Sequence, residues 1–383
     1  MIYWDNAATT CPKPLSVRRA VGQALHEHGA NPGRAGHRMA LSTAEMVYGC
    51  REEVASFFGL QDPAGVIFTQ NCTTAINTVI QSVVGEGGSV LVSDLEHNAV
   101  MRPLAALSGK EARYDIAAWS PSIPQTVENF RRAIRPNTKM LLCTHASNVF
   151  GCVLPIRELG ALAHEHHLLF CVDAAQTAGV LPIDMETDNI DYLCVAPHKG
   201  LYAPMGTGLL LCCEKERLQP LVRGGTGSYS LQMEQPQELP DRLESGTPNT
   251  AGICGVRAGV RFLQAKGQDT VYRHEIQCLQ YVYEHLAPHP AVHFYTPYPM
   301  PGLTAPVLSL NIGEMPSEQV AAELDAHGIA ARAGLHCAPS AHRRFGTLQQ
   351  GTVRLAPSVF STMDEAKFIV KVFLRIAEKT LHR

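Results

Sequence analysis

Residues 332–342, RAGLHCAPSAH, set one thiol beside an imidazole, with an arginine five positions before it and small residues and a proline after. Cys337 could there be a nucleophile, a metal ligand or one more packed thiol. The chain has twelve cysteines, several inside apolar runs such as LLFCV and LLLCC, where a thiol behaves as a small core hydrophobe. No Cys-x-x-Cys occurs, and a disulfide scaffold is not expected in a chain of this length. A second group, Pro197-His198-Lys199, closes the apolar run YLCVA. Partial desolvation there lowers an amine's pKa, and an amine kept partly neutral forms Schiff bases.

Other polar residues follow other apolar runs. Asp173 ends LLFCV and can keep a pyridinium nitrogen protonated, which makes the ring an electron sink. Asn71-Cys72-Thr73-Thr74 follows VIFT and precedes a helical stretch, so its N–H groups and the helix dipole suit a phosphate. Glu96-His97-Asn98 follows SVLVS, and His97 can cover a flat ring. His145-Ala146-Ser147-Asn148 follows MLLCT. A lysine, a carboxylate, a helix N-terminus and a stacking imidazole together describe pyridoxal 5′-phosphate (PLP). Asp173 and Gln176 could equally cap the helix after them.

The elements that must position these groups read as layered α/β. The runs 66–69, 89–93, 140–144, 168–172, 192–196 and 208–213 are too short for helices and apolar on both faces, as strands in a buried parallel sheet are. TAINTVIQSVV and PIRELGALAHEHH, between them, carry apolar residues at helical spacing. Such alternation implies right-handed crossovers, and ligands of such sheets bind beyond the carboxyl ends of the strands. From about residue 255 the texture shifts to VLSLNI, the helical SEQVAAELDAHG, TVRLAP and a closing helix, the reading of a smaller α+β domain.

At 383 residues and 45% hydrophobic, the chain can bury at least one large core. A formal charge of -3 without basic runs argues against nucleic acid, and no apolar run reaches membrane-spanning length. MIYWDNAATT lacks the pattern of a secretory signal, so a cytoplasmic protein is expected. His164-Glu165-His166-His167 ends a helical stretch, where cationic residues suit the dipole, so no metal is assigned to it. GGTGS (224–228) lacks the strand and helix context of a nucleotide loop and reads as a flexible loop near the site.

The chain resembles the class V aminotransferases of PLP fold type I, and within them the cysteine desulfurase and selenocysteine lyase branch. The resemblance rests on YWDNAATT, NPGRAGH (31–37), EHNAV (96–100), HASNVFG (145–151), VDAAQ (172–176), PHKGLYAPMGTG, ESGTPN (244–249), RAGLHCAP (332–339) and GTVRLAP (351–357), in the family's order. It implies a large PLP-binding domain over 16–254 with a mainly parallel central sheet. A small α+β domain over 1–15 and 255–383 would carry the catalytic cysteine. Lys199 would form the imine, Asp173 would meet the pyridine nitrogen, Gln176 the ring hydroxyl, and His97 would stack on the ring. Cys72, Thr73 and His198 would hold the cofactor with Asn148, and Thr247 would reach the phosphate from the partner subunit of a homodimer. Asn148 and Arg354 would hold the substrate carboxylate, with His37 and Arg332 lining the pocket. Cys337 would accept sulfur.

The sequence departs from the family's pattern at Ala196, where a serine phosphate ligand is common, which implies a redistributed phosphate grip. The short block after Cys337 resembles the short-loop (type II) desulfurases and implies a sulfur-acceptor protein that enters the pocket. The implied reaction converts L-cysteine to L-alanine with a persulfide on Cys337, whose thiolate His336 and Arg332 could favour. L-Selenocysteine is an alternative substrate. An aminotransferase or β-lyase that does not use Cys337, or a scaffold without PLP, are the other readings.

Overall fold

The computed structural model describes residues 1–33, 36–85, 88–107, 114–296 and 298–381. The chain opens with the two-residue strand β1 (Ile2–Tyr3). Seven strands then build a large sheet: β2 (Val66–Thr69), β3 (Ser89–Ser93), β4 (Tyr114–Ala117), β5 (Thr138–Thr144), β6 (Leu169–Asp173), β7 (Tyr192–Val195) and β8 (Gly208–Cys212). The C-terminal part adds β9 (Val292–Phe294), β10 (Leu308–Ile312), β11 (Ile329–Ala330), β12 (Arg332–Gly334) and β13 (Thr352–Leu355).

The large sheet has the order β2-β8-β7-β6-β5-β3-β4, and only β8 runs antiparallel to its neighbours. This is the α/β architecture with a mainly parallel central sheet. Side chains alternate across each strand, so apolar runs feed two layers. On β6, Phe170 and Val172 join one core, and Leu169 and Cys171 the other. Helices Cys72–Gly85 and Asn98–Leu107 cover the second face. Helices Arg38–Phe57, Ile156–Glu165 and Thr250–Lys266 cover the first. The edge strand β4 has no apolar run in sequence, because only half of it is covered; its Ile116 is 49% exposed.

The smaller antiparallel sheet has the order β12-β13-β10-β9. Helices Gln268–Leu286, Ser317–Ala326 and Met363–Leu381 complete its core, which also takes in Trp4. The N-terminal segment is thus stitched to the C-terminal part: β1 pairs in parallel with β11, and Asp5 bridges to Ala356. Helix Thr250–Lys266 runs across residues 254 and 255 and buries Val256, Val260 and Leu263 in the large core. No helix among the described residues is long and apolar enough to cross a membrane.

One close approach sets the height of the lysine turn. A Cβ at Gly259 would drive into the carbonyl oxygen of Leu201, so helix Thr250–Lys266 can lie against residues 199–203 only with glycine there. Gly259→Ala is expected to lower stability by about 1–3 kcal/mol through overpacking. Phe170→Ala, in the fully buried middle of β6, should lower it by about 3–5 kcal/mol. Urea unfolding of the two variants checks both, and wild-type stability in either would contradict the packing described.

Candidate active site

Lys199 sits in the turn that follows β7. Lys199 N donates to Ala196 O (3.1 Å) and Tyr202 N to Lys199 O (2.9 Å). Tyr202, with φ of 55°, buries its ring; its hydroxyl donates to Glu275 Oε1 (2.9 Å) and accepts from Val359 N (3.0 Å). From the other side the N-terminal segment clasps the turn, with Thr10 N (3.1 Å) and Lys13 Nζ (2.7 Å) donating to His198 O. Burial, reinforced by the Arg354 charge, pushes the Lys199 pKa below its ordinary value, against an opposing pull from Asp173.

The strand-end residues converge as the sequence implies. Cys72 and Thr73 after β2, His97 after β3, Asn148 after β5, Asp173 at the end of β6 and Gln176 after it, and His198 and Lys199 after β7 line one cavity. Asn71 Oδ1 caps the helix that starts at Cys72, accepting from Thr74 N (2.9 Å). Asp173 is buried; its Oδ1 accepts from Ala175 N (2.9 Å) and lies 3.7 Å from Cys72 Sγ. Its Oδ2 makes no hydrogen bond among the described residues. His97 Nδ1 accepts from Ala99 N (3.0 Å), so its neutral ring carries the proton on Nε2, and burial lowers its pKa. Gln176 Nε2 donates to Ala7 O (3.1 Å).

This donor set fits PLP. It offers a desolvated amine, a carboxylate oxygen without a partner, and a capped helix N-terminus with Thr73 exposed beside it. The buried Nδ1 of His198 also lacks any partner. Ala196 is buried and adds no polar atom.

The small sheet contributes two arginines. The β12–β13 register sets Arg332 directly opposite Arg354. Arg354 is 1% exposed; it donates to Asp5 Oδ1 (2.7 Å) and Asn148 O (3.0 Å), while its Nε has no partner. Arg332 is exposed, yet its charge bears on both Lys199 and His97.

Burial narrows the twelve free thiols to three exposed ones, Cys11, Cys213 and Cys337. Cys337 lies at the pocket: its carbonyl accepts from Asn98 N (2.7 Å), next to His97. His336 precedes it, buried, and its carbonyl accepts from Asn148 Nδ2 (2.7 Å). Both residues have left-handed backbones, with φ of 47° and 57°. The expectation that His336 favours a thiolate by its charge is corrected here. Burial and the Arg354 charge push its pKa down to about 3, and its Nε2 donates to Thr352 O (3.0 Å), so it holds the loop as a neutral ring.

Five implied site residues do not line this cavity: Cys337, Arg332 and Arg354 stand on its small-sheet side, while His37 and Thr247 lie elsewhere. His37 is exposed and caps helix Arg38–Phe57, its Nδ1 accepting from Ala40 N (3.2 Å); Arg34 and Ala35 of the same motif lie outside the described residues. Thr247 is exposed, accepts from Asn31 Nδ2 (3.3 Å), and lines a separate cavity. The histidine cluster disperses: His164 meets Asp191 and His166 meets Arg131. No group of three or more metal-binding side chains occurs among the described residues. GGTGS packs on the ESGTPN loop, where Gly246 N donates to Gly225 O (2.9 Å).

Sequence reasoning missed three supporting groups. Asp5 was visible only as part of YWDNAATT. Lys13, which burial pushes to about 8, carried no signal. Glu96 is fully buried; its Oε1 accepts from Ser93 Oγ and from Thr144 N (2.9 Å), tying the His97 turn to the end of β5.

Comparison with known proteins identifies the family. The family model described as aminotransferase class-V matches residues 2–368. A probable cysteine desulfurase of Synechocystis sp. is 29% identical, with 100% of this chain and 91% of the relative covered. One from Halalkalibacterium halodurans is 31% identical over 88% of this chain and 84% of its own. The apo structure of a cysteine desulfurase from Thermococcus onnurineus superposes with a TM-score of 0.90 at 28% identity, covering 99% of this chain and 95% of the other. The chain therefore belongs to the class V aminotransferase family, whose members are PLP-dependent.

Burial raises the Glu96 pKa from 4.5 to about 8. The folded protein keeps that proton where the unfolded chain has lost it, so Glu96 makes stability fall as pH rises through this window. Glu96→Gln is expected to flatten that decline. Denaturant unfolding of both proteins between pH 5 and 8 checks it, and parallel curves would contradict it.

Proposed function

We propose that this protein is a cytoplasmic, PLP-dependent cysteine desulfurase that converts L-cysteine to L-alanine and leaves a persulfide on Cys337. The observation that carries the reading is the hydrogen bond from Asn98 N to Cys337 O, which holds the backbone of a residue with an exposed thiol next to His97 and Ala99, which line the pocket of Lys199. PLP, when bound, supplies the electron sink that stabilises negative charge at the substrate Cα.

Lys199, drawn toward the neutral amine by burial, takes the Cα proton. Asp173 would hold the pyridine nitrogen, Gln176 would meet the ring hydroxyl, and His97 would cover the ring. Thr73, His198 and the helix N-terminus at Cys72 would receive the phosphate, and in a homodimer the partner's Thr247 would complete it. The buried Arg354, with Asn148, receives the substrate carboxylate, and Arg332 adds a second positive charge at the mouth, where His37 joins the lining.

The Cys337 thiolate attacks the substrate sulfur. The carbon–sulfur bond breaks with its electron pair retained on the carbon side, which is protonated to give alanine. The loop around Cys337 is short and pinned, so the sulfur leaves through an acceptor protein that comes to it.

Cys337→Ser is expected to abolish alanine formation from L-cysteine, a loss of more than about 100-fold, while the near-420 nm absorbance of bound PLP persists. Lys199→Ala should remove that band as well as activity. Alanine formation at the wild-type rate in Cys337→Ser would overturn the role of the thiol.

A further inference from the structure

One carboxylate fastens the strand that leads to the helix N-terminus at Cys72 to the loop that carries Thr247. Glu244 Oε1 accepts from Arg51 Nη1 (2.8 Å) and from Phe68 N (2.6 Å), and Oε2 accepts from Arg51 Nη2 (2.5 Å). Arg51 is 5% exposed; it also donates to Val66 O, and its guanidinium lies 4.6 Å from the Phe68 ring centroid. Val66 and Phe68 belong to β2, which runs directly into the capped helix at Cys72. Glu244 begins the loop that carries Thr247. That loop is braced again by Ser245 Oγ donating to Val222 O (3.1 Å). Thr69 and Thr74 on one side and Ser245 and Thr247 on the other line a common cavity with Arg51 and Glu244.

A buried ion pair contributes little net stability, since desolvation offsets its attraction. A bidentate pair does fix orientation, and this one ties a strand end to a loop that otherwise has no ladder partner. We propose that Arg51 and Glu244 are positioning residues for the cofactor phosphate, setting the helix N-terminus at Cys72 for this subunit's own site and the loop that presents Thr247 to the site of its partner. The assignment rests on the PLP reading given above. Neither residue touches the cofactor cavity itself, so their effect passes through the elements they hold.

The test uses the full-length protein freed of PLP and titrated with PLP, alongside its thermal unfolding. Glu244→Gln leaves Arg51 buried without its counter-charge and should lower both the unfolding midpoint and PLP affinity. The double variant Arg51→Met with Glu244→Gln removes both charges. It should recover the unfolding midpoint of the PLP-free protein yet bind PLP about tenfold more weakly. Should the double variant not fold, Arg51→Lys keeps the charge but not the fork, and a similar weakening is expected. Wild-type PLP affinity in the double variant, or in Arg51→Lys if that is the one that folds, would overturn this assignment alone. Wild-type protein that takes up no PLP would sink the cofactor reading and this assignment with it.

Discussion

Two hydrogen bonds cross from the strand ends of the large sheet to the loop of the small sheet that bears Cys337. Asn98 N reaches Cys337 O and Asn148 Nδ2 reaches His336 O, each at 2.7 Å. They hold a conformation the loop would not choose by itself. Two successive non-glycine residues in the left-handed region cost roughly 1–2 kcal/mol each. Each hydrogen bond returns about 1 kcal/mol, and Ala338 and Ala341 add burial within the core of the large sheet. Phe345 closes the same seam, with its ring centroid 4.0 Å from that of Phe150. The backbone of Cys337 is therefore placed by contacts between the two sheets, and both must be formed for the loop to lie next to the pocket of Lys199.

Electrostatics follow from the same seam. The β12–β13 register puts two arginines opposite each other, an arrangement that costs free energy unless an anion is near. Asp5 supplies one anion, delivered by the strand pairing of β1 with β11 and the bridge from Asp5 to Ala356. A substrate carboxylate would supply another, at the exposed side where Arg332 stands. Burial lowers the Lys199 pKa most and the Arg354 charge adds to it, so the charge proposed to receive a substrate carboxylate also favours the neutral amine.

Much of this was legible in the sequence, for a definite reason. Buried parallel strands are apolar on both faces, so the polar residues where they stop stand out. His97, Asn148, Asp173 and Lys199 were found in that way, and the structure gathers them in one cavity. Direction was not legible: GLLLC (208–212) is buried on both faces like its neighbours, yet β8 runs antiparallel. The edge strand β4 was invisible because half its surface meets solvent. Composition could not separate Cys337 from eleven other thiols; motif and neighbours singled it out, and in the structure it is one of three exposed thiols. The charge assigned to His336 failed because burial is a tertiary property that adjacency in sequence does not reveal.

The most direct test of the seam is where sulfur goes. Wild-type protein with PLP is given one equivalent of L-cysteine labelled at sulfur, digested without reductant, and its peptides are mapped. Label confined to the Cys337 peptide and released by dithiothreitol is the expected result. Stoichiometric alanine with the label on another cysteine, or on none, would contradict the account.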